Sequence, residues 1–234
     1  MTTNPYQVPA GIDLSPERTE SSASPEPLSD REEKAVSAGL RWCGFGYRVA
    51  TVSLIADLGR RLLFPNATQS ANQLLHLLAG IGLVAVLVGL VRLGTIRGRL
   101  RTLTLLALAV GVFSATLFTP YLLALDTGSF VSGLFHLFGA TAFAMLLTAQ
   151  ALTALVVRGW ATRIGDGQSL HLSHLAVLGF AICGVCNSAI ALSQATIGNE
   201  AMVKMLGWMS GLVALAALLL CIELTRKRWR TFGK

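Results

Sequence analysis

Apolar residues in this chain come in long blocks and do not alternate with polar ones. Five blocks, covering residues 73–91, 102–125, 130–157, 170–196 and 202–224, meet or approach the length of about 20 mostly apolar residues that a transmembrane helix requires. No period-two alternation competes, so the blocks predict helices and not strands. A sixth segment, 40–64, is weaker. It holds Arg48 and Asp57, ends with Arg60 and Arg61, and its uninterrupted apolar stretch, 49–56, is too short to span alone. It is either a first transmembrane helix carrying charges or an amphipathic helix lying on the surface. Six crossings are preferred, because Asp57 sits three and four positions before Arg60 and Arg61 and suits local ion pairs. Long basic side chains can also snorkel to the interface. The expected fold is an all-α polytopic membrane helix bundle over residues 39–225, with five clear spans and one weaker.

The segments between the blocks predict orientation. The loop RLGTIRGRLR carries Arg92, Arg97, Arg99 and Arg101, and the loop RGWATRIGDGQS carries Arg158 and Arg163. The basic C-terminus, 226–234, adds Arg226, Lys227, Arg228, Arg230 and Lys234. The intervening loops PNATQSAN, DTGS and IGNEA carry no Lys or Arg. Basic loops stay on the cytoplasmic side of a membrane. The C-terminus is therefore expected in the cytoplasm of a cell bounded by an inner (plasma) membrane, with the N-terminus beside it if six segments cross.

Residues 1–38 have a different character. The stretch is rich in Pro, Ser and Glu, and its seven acidic residues outnumber its three basic ones. Such a composition buries too little apolar surface to offset the entropy of ordering, so the tail is expected to be disordered and to offer partners a docking segment. Near its end, SDREEKA predicts a helix start, with Ser29 as cap and Glu32 reaching back to complete a capping box.

Composition agrees with a membrane assignment: 53% of residues are hydrophobic and 13% charged, against about 25% charged in ordinary soluble domains. The net charge of +7 does not point to nucleic acid, because the basic residues flank apolar blocks and no RNP-like motif, zinc-finger spacing or basic helix face accompanies them. Cys43, Cys183, Cys186 and Cys221 lie in or beside apolar segments, which argues against a disulfide framework.

Polar groups inside apolar segments are the candidate functional residues. Cys183 and Cys186 form a CxxC, but its apolar setting disfavours the thiolate that redox or metal chemistry needs. Gly179, Cys183, Asn187, Ala191 and Ala195 recur every fourth residue and predict a packing stripe, in which the Asn187 amide must find a partner inside the bundle. Gly207 and Gly211 form a GxxxG with the same meaning. His76 and His136 lie near the outer ends of their helices, where two imidazoles on facing helices could hold a b-type haem. His171 and His174, at i and i+3, share a face but lack further metal ligands nearby. No catalytic motif is present, and no cofactor is required by the pattern.

Three resemblances add to this. Asn4, Pro5, Tyr6 and Pro9 match the Asn-Pro-Tyr-x-x-Pro tail that opens many bacterial, planctomycete-like multi-pass membrane proteins of unassigned activity, which this chain therefore resembles. That resemblance implies a bacterial membrane protein with a cytoplasmic leader. Four histidines in a six-helix bundle resemble, in part, the cytochrome b561 family, which implies His76 and His136 as one haem pair; the third helix has no histidine for a second pair. The CxxC resembles that of thiol oxidoreductases of the vitamin K epoxide reductase type, without the second cysteine pair on a loop that they use. The leading expectation is a non-enzymatic scaffold, subunit or small-solute membrane protein. The competing one is a membrane redox protein that binds haem or quinone.

Overall fold

The computed structural model describes residues 28–63, 69–96, 98–127, 133–163, 168–196 and 200–229, apart from some side chains within the helices. They form six helices: α1 (Asp30–Leu63), α2 (Gln69–Gly94), α3 (Arg99–Thr127), α4 (Gly133–Arg163), α5 (Gln168–Thr196) and α6 (Glu200–Trp229). Each expected apolar block falls on one helix; residues 130–132 of the third block and residue 64 of the weaker segment lie outside the described residues. Residues 1–27, most of the expected tail, lie outside the described residues. Residues 30–38, counted with that tail from their composition, belong to α1. The capping box is formed: the Ser29 backbone N–H and hydroxyl both donate to Glu32 Oε2, at 3.1 and 2.8 Å. The cap holds residues 30–38 helical because it satisfies orphan donors of the first turn, and Asp30, Glu32 and Glu33 complement the helix dipole there.

The helices pack in chain order, and α1 closes the circle against α6. Neighbours run antiparallel throughout. Gly39 of α1 meets Gly89 and Leu93 of α2, while Gly46 meets Gly82 and Val86. Further along, the Ser53 hydroxyl donates to the Leu75 carbonyl at 2.8 Å. On the other flank, Gly44 meets Thr225 and Leu58 meets Gly211 of α6. The start of α1 and the end of α6, the end of α2 with the start of α3, and the end of α4 with the start of α5 therefore share one end of the bundle. Arg60, Arg61 and Lys204 lie towards the other.

The interior is lined by Leu40, Tyr47, Leu90, Val156, Trp160, Phe180 and Leu224, all essentially buried. Large apolar side chains also face outward: Val84, Val185 and Leu212 are each more than half exposed. In water that distribution would be a liability; in a bilayer it is the lipid-facing surface. Four helices are long and apolar enough to cross a membrane, through Leu77–Gly94, Leu100–Leu117, His171–Ile190 and Ala201–Arg226. In α4 the apolar segment among the described residues is the shorter Ala144–Trp160. The molecule is an all-α, polytopic, integral membrane helix bundle.

The segment left ambiguous by its charges, α1, is a full member of that bundle. It has 34 residues, about 50 Å of helix at 1.5 Å per residue, and it lies along α2 and α6 for much of that length. A helix on the membrane surface would touch only their ends. The expected ion pairs at its far end are present, Arg60–Asp57 at 3.0 Å and Arg61–Asp57 at 2.7 Å.

Candidate functional site

Among the described residues, two polar clusters lie inside the bundle. The first joins α5 to α6 and contains the CxxC. The residues of its stripe that the structure describes face α6 as the fourfold spacing requires. A methyl group on Gly179 would lie 2.9 Å from the Ala217 Cβ, so only hydrogen fits there. One turn on, the Cys183 thiol donates to the Ser210 carbonyl at 3.3 Å. A further turn on, the Asn187 amide nitrogen donates to the Cys183 carbonyl and to the Ser210 hydroxyl, each at 2.8 Å. Ala191 and Ala195 lie on the same helix, with side chains outside the described ones.

The cysteines do not behave as a reactive pair. Cys183 and Cys186 are both free and buried, and they lie in the middle of α5, away from the helix N-terminus that lowers thiol pKa values in redox CxxC motifs. Cys183 is engaged as a thiol donor to a backbone carbonyl. Cys43 makes the same kind of contact across the α1–α2 interface, to the Val86 carbonyl at 3.8 Å.

The second cluster has no local signature in the sequence, because its members come from three helices distant in the chain. Tyr47 of α1 is 1% exposed, and its hydroxyl faces Cys221 of α6 and Thr153 of α4. No hydrogen bond of ordinary geometry reaches that hydroxyl. Thr153 turns its own hydroxyl back to the Ala149 carbonyl at 2.7 Å. Cys43, one turn before Tyr47, completes the lining. A tyrosine with glycines close by in an otherwise charged apolar segment was the one available signal. A buried donor left without a partner costs about 1–3 kcal/mol. Tyr47→Phe is therefore expected to leave the bundle as stable or raise its stability by about 1 kcal/mol, as read from the unfolding midpoint in detergent; a loss of comparable size would show that the hydroxyl is bonded.

The remaining candidates divide as follows. The side chains of His76 on α2 and His136 on α4 lie outside the described residues. His171 and His174 are exposed at the start of α5, and His174 Nε2 is 2.6 Å from Arg158 Nη1 of α4, which ties the two helices at the basic end. Among the described residues, no group of three or more His, Cys, Asp or Glu side chains converges as a metal site would need. Gly211 packs on Leu58 as the GxxxG predicts, but a methyl group on Gly207 would have nothing within 4 Å, so Gly207 does not contribute a contact.

Among the described glycines, the closest approach to a neighbouring backbone lies elsewhere, between α1 and α2. A methyl group on Gly46 would stand 2.5 Å from the Gly82 carbonyl oxygen, and one on Gly89 would stand 2.7 Å from the Gly39 carbonyl oxygen. Glycines seven residues apart on both helices, 39 with 46 and 82 with 89, bring the two backbones into contact over two turns. No family model, curated protein or solved structure matches the chain.

Proposed function

We propose that this protein is a non-enzymatic subunit or scaffold of a bacterial inner membrane, with both ends in the cytoplasm. One observation carries the reading: the polar groups described inside the bundle are mostly spent on holding helices. The hydroxyls of Thr51, Thr104, Ser114 and Thr153 each donate to a carbonyl three or four residues back on their own helix. Ser53, Cys43, Cys183 and Asn187 bond across interfaces. A transport path needs polar groups free to exchange partners with a solute, and a redox centre needs ligands converging on one point. The orientation is supported by the shared end of the basic connections, through the positive-inside tendency. The acidic leader serves as a cytoplasmic docking segment on this reading.

The test is a pair of measurements on purified protein. Reconstituted vesicles are expected to show no flux of small polar solutes above protein-free vesicles, and the visible spectrum no Soret band. Flux that Asn187→Leu abolishes, or a Soret band that His76→Ala or His136→Ala removes, would replace the subunit reading with transport or with haem-based redox chemistry.

A further inference from the structure

Arg48 is a cation placed where lipid should be. It lies on the outward face of α1, exposed, within a stripe whose members Phe45, Val52 and Ile55 are 48%, 59% and 50% exposed. Its depth follows from its neighbours. Gly46 and Ala50, on either side of it, both pack against Gly82 of α2, so Arg48 is level with Gly82. That residue is inside the apolar segment Leu77–Gly94.

The other charges on α1 have outlets. Asp57 is paired with Arg60 and Arg61. Arg41 stands nearer the basic end, and helical side chains lean towards the helix N-terminus, which for α1 is that end. The same lean works against Arg48. Its nearer interface is at the C-terminal side of α1, and the lean of a helical side chain favours the other direction, into the thickness of the bilayer. Arginine at the centre of a transmembrane helix costs about 2.5–3.5 kcal/mol on insertion scales, and level with Gly82, five residues inside the apolar segment, part of that cost remains. A second copy does not relieve this. Two copies in the same membrane orientation, related by a twofold axis through this face, would set Arg48 against Arg48.

We infer that the Phe45–Arg48–Val52–Ile55 face of α1 docks a transmembrane helix of a different protein, one that carries a carboxylate at the depth of Arg48. The apolar members of the stripe supply packing. Gly59, where an added methyl group would have nothing within 4 Å, leaves the surface low where a partner backbone can approach. The carboxylate supplies the counter-charge and a bidentate acceptor for the guanidinium. This rests on the subunit reading and names its contact surface.

The experiment places the full chain in phosphatidylcholine vesicles with a synthetic leucine–alanine transmembrane peptide bearing one Glu about five residues from the end of its apolar segment, and measures association by energy transfer. Binding about tenfold tighter than that of the matching Leu peptide is expected, and Arg48→Leu should remove the difference. Arg48→Leu should fold at least as well as the unaltered chain, since it removes a charge from the lipid-facing surface, and its unfolding midpoint checks this. Equal binding of Glu and Leu peptides, or a preference that survives Arg48→Leu, overturns the inference. So does efficient Val52→Cys cross-linking into a homodimer, which would assign the face to a second copy. Loss of the Glu preference when phosphatidylglycerol is added would assign Arg48 to a lipid phosphate and also overturn it. The flux measurement remains independent: a protein that conducts solute yet binds the Glu peptide sinks the subunit reading alone, and a silent protein without the preference sinks the docking face alone.

Discussion

Gly46→Leu separates α1 from α2 and leaves little folded protein. The new side chain would begin 2.5 Å from the Gly82 carbonyl oxygen and 2.7 and 2.9 Å from Val86 Cγ2 and the Val86 backbone nitrogen. Overpacking usually costs about 1–3 kcal/mol when side chains can move aside. Here the main obstacle is backbone, so the helices must part, and the loss is expected at about 3 kcal/mol or above. Parting them also strips Cys43 from the Val86 carbonyl and Ser53 from the Leu75 carbonyl. The unfolding midpoint in detergent, with the yield of monodisperse protein, reads the effect. Gly80→Ala is the matched control: nothing lies within 4 Å of that position, and alanine is the better helix former by about 1 kcal/mol. Comparable stability of Gly46→Leu and the unaltered chain would mean that α1 does not pack on α2 as described.

The second large effect is expected at Asn187. Its amide links α5 to Ser210 of α6 while also bonding its own helix at the Cys183 carbonyl. Asn187→Leu removes both bonds and places a bulkier side chain at a half-buried contact. Interhelical hydrogen bonds in membranes average about 0.6 kcal/mol and reach about 1.7; with the changed packing, a loss of about 2 kcal/mol is expected. A double-mutant cycle with Ser210→Ala should isolate a coupling within that range. Cys183→Ala and Cys186→Ala should each cost no more than about 1 kcal/mol, because one weak thiol bond or none is lost. A tolerant Asn187→Leu beside a damaging cysteine pair would return the CxxC to consideration as chemistry.

These two sites differ in how far the sequence could reveal them. The α5 stripe is local: residues four apart on one helix must share a face, so Gly179, Cys183 and Asn187 could be grouped before their partner was known. The partner, Ser210, could not, because nothing in α6 alone distinguishes the face that meets α5. Gly207 and Gly211 show the same limit. The spacing marks a possible contact, and only tertiary placement decides that Gly211 meets Leu58 while Gly207 meets nothing. The Ser29–Glu32 cap was legible because both members lie within one turn. The place of α1 was legible only in part: the spacing of Asp57 from Arg60 and Arg61 favoured a sixth crossing, and hydropathy did not. Hydropathy averages Arg48, Asp57 and the arginines at its end with its apolar residues, and so hides a helix whose inward face carries Leu40, Cys43, Tyr47 and the glycines. Tyr47 was not legible as part of a cluster for the related reason that its surroundings come from α4 and α6, more than a hundred residues away in the chain.

The account stands or falls on α1 crossing the membrane beside α2 and α6. Single cysteines at Ser21, Asn66 and Lys234, introduced into a full chain whose four native cysteines are replaced by alanine, can be labelled with a membrane-impermeant maleimide in vesicles of known orientation. Positions 21 and 234 are expected to label from the cytoplasmic side and position 66 from the opposite side. Labelling of positions 21 and 66 from the same side would contradict it, because α1 would then lie on the membrane and not within it.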